Sequence, residues 1–156
     1  PPVSFSLLLN LAAVCNTEDK DVLWGFITRY APQASPENDP LLDQLVGFAI
    51  RYYQDFVKPH KTFKVPEEND RAALMDLRDV LSGFDATASA EEIQTQVYEV
   101  GKRHGYENLR DWFKAQYQIL LGQEQGPRIG SFFALYGLPE TIALIDQALA
   151  GEDMLA

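Results

Sequence analysis

The segment 122–130, with the sequence G-Q-E-Q-G-P-R-I-G, combines residues that shape the backbone with side chains that recognise other molecules. Its three glycines permit positive φ angles and close approach of another molecule, and Pro127 fixes φ and removes one N–H group. Gln123 and Gln125 offer paired donors and acceptors, and Arg128 offers a rigid fork of donors suited to base edges or phosphates. These residue types predict a base-reading loop. Spacing alone slightly favours a stiff turn whose polar side chains point to water.

Small groups of basic residues could contact a phosphate backbone. Spacing alone favours a solvated helix end for each group. The net charge of −10 also counts against nucleic acid, because affinity for phosphates comes mostly from Lys and Arg. This objection weakens if another part of the polypeptide makes most backbone contacts. The groups are Lys58, His60, Lys61 and Lys64; Lys102, Arg103 and His104; and Arg110 with Lys114.

We predict no catalytic residue and no metal site in this chain. The sequence lacks the G-x-x-x-x-G-K, G-x-S-x-G and H-E-x-x-H motifs. Cys15 lies in an apolar helical run, which is typical of a small buried hydrophobic residue. His60 and His104 do not form a metal-ligand cluster with it at the usual spacing. A single cysteine fits a reducing cytoplasm best, so we expect a cytoplasmic protein.

The elements that position these residues are predicted to be helices. Apolar residues recur at helical spacing throughout, which predicts an all-α bundle or cage of about six to eight helices. One helix is predicted around 22–30, with Thr17 as its N-cap, and another contains Leu74, Leu77 and Leu81 before Gly83. The clearest amphipathic helix places on one face Leu41, Leu42, Leu45, Val46, Ala49, Tyr53, Phe56 and Val57.

A connector at 84–90, rich in small and turn-forming residues, predicts a division of the chain into two subdomains. The first would span 1–83 and the second, which carries the loop, 91–156. Ser89 and Glu92 predict a capping box at the start of the helix after the connector. Asn108 is expected to cap the next helix, and Pro139 and Gly151 to lie in the first turn and at the end of the last helix.

The apolar run F-S-L-L-L-N-L-A-A-V-C at 5–15 predicts a buried helix rather than a targeting segment. No basic residue precedes it, Ser6 and Asn10 interrupt it, and Val14 stands where a cleavage site needs a small residue. It is far shorter than the ~20 apolar residues of a membrane span. The Pro1-Pro2 start without methionine predicts that the chain is cut from a longer polypeptide.

Several segments together resemble the C-terminal part of class I lysyl-tRNA synthetases. The most specific are L-L-G-Q-E-Q-G-P-R at 120–128, with S-F at 131–132 and A-L-Y-G at 134–137. The opening P-V-S-F-S-L-L-L-N-L at 2–11 fits as well, so the resemblance covers nearly the whole chain. Two further segments agree with it, W-G-F-I at 24–27 and Y-E-V-G-K-R-H-G at 98–105.

The resemblance implies part of a ligase that attaches lysine to tRNA(Lys) with ATP. In this family ATP, with magnesium, belongs to an N-terminal catalytic Rossmann domain whose signatures are absent here. The present region then resembles the helical cage that binds the anticodon in glutamyl-tRNA synthetases. The expected partners are tRNA(Lys) and the catalytic domain of the same polypeptide, with neither membrane nor DNA. The alternative is an acidic helical protein-interaction domain with no RNA partner.

In the related glutamyl enzymes a loop of the form x-G/T-P-x-L touches anticodon bases, and the residues here are Gly126, Pro127, Arg128 and Ile129. Arg128 stands where a small residue is common, so contact with a base and contact with a phosphate both stay open. The predicted anticodon contacts are Tyr117, Gln123, Gln125, Gly126, Pro127, Arg128 and Ile129. The predicted backbone contacts are Lys102, Arg103, Arg110 and Lys114.

Overall fold

The computed structural model describes residues 3–155. Three predictions therefore extend outside the described residues: the Pro1-Pro2 start, the 2–11 motif by its first residue, and the region 91–156 by its last residue. Within 3–155 the chain forms eight α-helices and no strand, which confirms the predicted all-α fold. The helices are α1 (Phe5–Cys15), α2 (Lys20–Tyr30), α3 (Pro40–Tyr52), α4 (Glu68–Ser82), α5 (Ala90–Arg103), α6 (Leu109–Gln116), α7 (Ile129–Tyr136) and α8 (Leu138–Leu149).

The first compact unit ends at Lys61 and is built on the packing of α1 against α3. Ser4 begins α1 by accepting a backbone N–H of the first turn at its hydroxyl oxygen (3.3 Å), and Asn16 ends the helix in a left-handed conformation (φ 48°). Leu8 and Leu11 are fully buried. The predicted buried helix at 5–15 is therefore confirmed.

Asp19, rather than the predicted Thr17, caps α2. The Asp19 carboxylate accepts a backbone N–H of the first turn (2.9 Å), while the Thr17 hydroxyl accepts the N–H of Asp19 itself (3.0 Å). Thr17 thus supports the cap from outside the helix, because both side chains can accept a hydrogen bond from a residue two positions ahead. Trp24 and Lys20 each donate to Asp43 at 2.9 Å, which joins α2 to α3.

The predicted apolar face at 41–57 is buried only in part. Leu42 and Val46 are buried, but Leu41 is 79% exposed and Phe56 63% exposed. After Tyr52 the helix continues as a π-helical turn at Tyr53–Val57. A π turn holds more residues than an α turn, so the side chains after it are rotated away from the face that the 3.6-residue period predicts.

Tyr53 and Lys61 form a partly buried polar cluster in the first unit. The Tyr53 hydroxyl donates to the Asn16 side-chain oxygen (2.8 Å), and the Lys61 ammonium donates to the Tyr53 hydroxyl (2.9 Å) and the Ala13 carbonyl (3.0 Å). Burial lowers the pKa of Lys61 to about 8. Burial also raises the pKa of Cys15, the residue before Asn16, to about 11. Its thiol is therefore protonated at neutral pH and is a poor nucleophile.

The second compact unit begins at Thr62 and contains α4 to α8. Helix α5 packs against α7, and α4 packs against α8, around a core that includes Trp112, Phe132 and Phe133. The boundary between units therefore lies earlier in the chain than the 84–90 connector. The physical reason is that α4 contacts α5 and α8, although the sequence grouped residues 68–83 with the preceding helices.

Two predicted caps begin helices of the second unit. The Ser89 hydroxyl accepts the N–H of Glu92 (3.1 Å), which is one of the two bonds of the predicted capping box; the Glu92 side chain does not return a bond to the Ser89 N–H. The Asn108 side chain accepts the N–H of Arg110 (3.0 Å), as predicted. Pro139 lies in the first turn of α8. Within 3–155 no single helix is long and apolar enough to cross a membrane; α7 and α8 meet that length and composition only as a pair bent by 107°.

Candidate nucleic-acid interface

The loop at 122–130 follows directly from α6 and an irregular turn after it. Trp112 anchors α6, because its ring is fully buried and its indole N–H donates to the Val97 carbonyl of α5 (2.9 Å). Past Gln116 the helix widens into a π-helical turn at Tyr117–Leu121. Gly122 ends the turn with φ 70° and ψ 24°, a left-handed conformation that glycine adopts without strain.

An extended segment at the start of the second unit donates hydrogen bonds to the backbone carbonyls at the end of this turn. The backbone N–H of Thr62 donates to the Gly122 carbonyl, and that of Lys64 to the Gln118 carbonyl, each at 3.0 Å. The N–H of Gln123 donates to the Tyr117 carbonyl (3.3 Å). Helix ends leave carbonyls without an intrahelical partner, and these bonds supply the missing donors.

Tyr117 closes the loop from the side of the π turn. Its hydroxyl donates to the Pro127 carbonyl (2.7 Å), and its ring lies so near Gly126 that a Cβ there would be 2.5 Å from the ring. Only glycine fits this approach without a shift of the ring. Burial raises the pKa of Tyr117, so its hydroxyl remains a proton donor at neutral pH. Tyr117 thus positions the loop backbone.

The side chains of the loop divide between the core and the solvent. Pro127 and Ile129 are buried, so they anchor the loop and their side chains present no surface to a base. Gln125 and Arg128 are exposed, and Gln123 is half-buried. Of the predicted anticodon contacts, the structure therefore leaves mainly Gln125 and Arg128 on the outer surface.

Glu91 lies against Arg128 in a contact that sequence reasoning missed. The Arg128 guanidinium donates to both carboxylate oxygens, from Nη1 at 2.7 Å and from Nη2 at 3.1 Å. The two residues are 37 positions apart, and a spacing of that size leaves no local signal in the sequence. Glu91 also lies in the first turn of α5, where a carboxylate is favoured by the helix dipole.

The first turn of α5 is fixed to the start of α7, so neighbouring rigid elements carry the Glu91 and Arg128 side chains. The Gln94 side-chain oxygen accepts the N–H of Gly130 (2.6 Å) in a buried site. A Cβ on Gly130 would overlap the Ala90 carbonyl oxygen. Arg128 is the N-cap residue of α7, and Glu91 follows Ala90 directly.

Two of the four predicted phosphate contacts are already paired with carboxylates. Lys102 forms a salt bridge with Glu99 (3.3 Å), and the Arg103 guanidinium donates twice to Asp76 (3.1 and 3.0 Å). His104 also contacts Asp76 at 2.9 Å. The hydrogen bond from Arg103, then that from His104, hold the pKa of Asp76 below its ordinary value despite partial burial.

Arg110 and Lys114 are exposed on α6, and neither forms a salt bridge with any residue that the structure describes. Lys114 lines an open groove of about 470 Å³. In this groove the Tyr106 hydroxyl donates to Asp70 (2.6 Å) and Lys64 lies 3.3 Å from the same carboxylate. The lining carries both signs of charge, with three carboxylates and two ammonium groups: Glu67, Asp70 and Asp111 with Lys64 and Lys114.

No group of three His, Cys, Asp or Glu side chains within residues 3–155 could hold a metal ion. Arg, Gln and Tyr side chains on a fixed loop suit recognition through hydrogen bonds.

No family model matches the chain, and no solved structure matches it. Proteins named lysine–tRNA ligase do match. The chain is 56% identical to the lysine–tRNA ligase of Rickettsia bellii strain OSU 85-389 and 51% identical to the lysine–tRNA ligase of Rickettsia felis. Each of these two matches covers 147 residues, which is 94% of this chain. It is 54% identical over 150 residues, 96% of its length, to that of Roseobacter denitrificans. The match spans 28% of the length of each of these relatives. Over nearly its entire length, this chain is thus similar to a region that makes up about a quarter of these lysine–tRNA ligases.

Proposed function

We propose that this chain is the tRNA-recognition part of a cytoplasmic class I lysine–tRNA ligase, which charges tRNA(Lys) with lysine using ATP. The observation that carries the proposal is 51–56% identity to lysine–tRNA ligases over at least 94% of the chain. The chain spans 28% of those proteins, and in this proposal the adenylate-forming site belongs to other parts of the polypeptide. The present residues have the role of binding tRNA.

The exposed side chains of the loop suit an anticodon. RNA is recognised mainly at single-stranded loops, where unstacked bases offer edges for hydrogen bonds and faces for stacking on aromatic rings or guanidinium planes. Arg128 and Gln125 supply donors and acceptors on a backbone fixed by Tyr117 and by the bond from Gly130 to Gln94. A loop that is ordered before binding loses less entropy when it binds.

In this proposal ATP and magnesium bind outside this region. Their chemistry is activation of the lysine carboxyl group, and the residues described here take no step in it. The role of this chain is to place the tRNA so that its acceptor end meets the activated amino acid. Arg110 and Lys114, which are exposed, are the cations available for the RNA backbone.

One observation favours a second candidate function, an acidic helical protein-interaction domain with no RNA partner. The net charge is −10, and Lys102 and Arg103 are neutralised by carboxylates. A protein of this charge repels a phosphate backbone unless local contacts compensate.

Charging assays with the full-length protein separate the two candidates. We expect Arg128→Ala to reduce the preference for tRNA(Lys) over the same tRNA with an altered anticodon by about 5- to 150-fold, the range for loss of one bidentate base contact. Arg78→Ala is the matched control, because Arg78 is also partly exposed and also donates twice to one carboxylate, that of Asp146. The control should leave anticodon preference unchanged.

The proposal is contradicted if the wild-type protein charges both tRNAs equally well, or if the two arginine variants behave alike while helicity is unchanged. The first result would favour the interaction-domain function. The second would make the loop a structural turn.

A further inference from the structure

The pairing of Arg128 with Glu91 bears on which part of an RNA this arginine can contact. The guanidinium has five N–H donors in a fixed plane, and Glu91 takes one from Nη1 and one from Nη2. Three donors remain for another molecule. Glu91 can therefore stay in place while Arg128 donates to a further acceptor.

The charge beside those remaining donors decides which acceptor is favoured. Both side chains reach the surface, with Glu91 77% exposed and Arg128 47% exposed, so a ligand of Arg128 meets the Glu91 carboxylate as well. A phosphate would place a second negative charge within a few ångströms of Glu91, and like charges at that distance repel. A base edge presents neutral acceptors and escapes this repulsion.

We propose that Glu91 is a specificity-determining residue, whose carboxylate excludes phosphates from Arg128 and leaves the guanidinium for a base of the anticodon. This inference rests on the proposed function and assigns the base contact that the sequence left open. The contact between α5 and α7 matters here, because the bond from the Gly130 N–H to Gln94 holds the first turn of α5, which carries Glu91, against the start of α7, which carries Arg128.

The test is Glu91→Gln in the full-length protein, which removes the charge and keeps the size and one acceptor. Binding of tRNA(Lys) and of the same tRNA with an altered anticodon is measured by filter binding at several salt concentrations. We expect one phosphate to replace the base at Arg128. Both tRNAs should then bind more tightly at low salt. The preference for tRNA(Lys) over the altered tRNA should fall toward the value of the Arg128→Ala variant. The slope of log K against log salt should steepen by about one, an extra loss of roughly threefold between 50 and 200 mM salt.

Glu92→Gln is the matched control, because Glu92 is also exposed in the first turn of α5 and its substitution changes the net charge equally. It should leave the slope and the preference unchanged. In the double variant Glu91→Gln with Arg128→Ala, the slope should return to its wild-type value, because the guanidinium that would hold the phosphate is gone.

The inference is overturned if Glu91→Gln and Glu92→Gln have the same effect, which would indicate only general charge. It is also overturned if Glu91→Gln weakens binding of both tRNAs, because the carboxylate would then hold Arg128 in place for a phosphate. Equal binding of both tRNAs by the wild-type protein would instead contradict the proposed function itself.

Discussion

Tyr117 connects the end of α6 to the candidate loop through both its hydroxyl and its ring. The hydroxyl donates to the Pro127 carbonyl at 2.7 Å, and the ring covers Gly126. A ring engaged in this way is not free to stack on a base without releasing the loop. We therefore assign Tyr117 a positioning role.

Tyr117→Phe keeps the ring over Gly126 and removes only the donor. We expect the free energy of unfolding to fall by about 1 kcal/mol, because a partly buried carbonyl loses its hydrogen bond. Urea denaturation followed by circular dichroism measures the change. Tyr98→Phe is the control, because the Tyr98 ring packs on Phe113 and its hydroxyl has no hydrogen bond to the residues described. An equal loss of unfolding free energy in Tyr98→Phe would contradict the positioning role of Tyr117.

Single residues also show where sequence reasoning succeeds and where it stops. Asn108 caps its helix as predicted, and the Ser89 hydroxyl forms its own half of the predicted capping box, because a cap involves only residues two or three positions apart. The glycines of 122–130 predicted close approach of another molecule, whereas the group that lies against Gly126 is the Tyr117 ring of the same chain. Whether Ile129 faces the core or a ligand depends on packing between distant helices, and no local pattern contains that information.

Helices α5 and α7 lie in close contact at Gly130. The N–H of this residue donates to Gln94, and a Cβ would overlap the backbone oxygen of Ala90. A backbone atom within a helix cannot move aside as the end of a side chain can. The contact therefore fixes the spacing of the two helices.

Gly130→Ala should lower the free energy of unfolding by about 3 kcal/mol, the upper part of the range for overpacking a core. Thermal and urea denaturation both report this loss. Gly47→Ala in α3 is the matched control, because its Cβ would meet only flexible side-chain ends at 3.5 Å or more. That change should be neutral or stabilise by up to about 1 kcal/mol, as alanine is the better helix former. Equal losses in the two variants would show that the α5–α7 contact can relax.

The π-helical turns are the elements that the sequence could not predict. Both continue an α-helix whose apolar pattern has the ordinary 3.6-residue period, at Tyr53–Val57 and at Tyr117–Leu121. Helical type was therefore predictable, but the rotation that exposes Phe56 was not. A turn of this kind depends on tertiary bonds, such as those from Thr62 and Lys64 to the second turn.

Across the whole molecule, stability should depend on pH through groups that burial perturbs in opposite senses. The folded pKa of Lys61 is about 8 against an ordinary 10.5, so between these values the unfolded chain binds more protons than the folded chain. Stability then rises with pH in this window. For Cys15 the folded pKa is about 11 against 9.0, so between these values the folded chain binds more protons and stability falls with rising pH.

We expect the midpoint of urea unfolding to rise between pH 8 and pH 9, where Lys61 deprotonates in the folded chain. The opposing effect of Cys15 is smaller in this window, because its thiol stays protonated in the folded chain and is at most about half deprotonated in the unfolded chain. In Lys61→Met this rise should disappear, because the titrating group is gone. Lys58→Met is the comparison variant and should retain most of the rise, because burial is the larger cause of the lowered Lys61 pKa and the charge of the exposed Lys58 is the smaller one. A rise that persists in Lys61→Met would assign it to another group.

The two backbone bonds from Thr62 and Lys64 to the turn before the loop have a consequence for how the loop acquires its shape. They join positions more than fifty residues apart, so they form only after a long stretch of chain has closed on itself, at an entropic cost that grows with its length. The loop should therefore order late in folding. A shortened polypeptide beginning at residue 84 would lack both donors, and the carbonyls of Gln118 and Gly122 would be left to water.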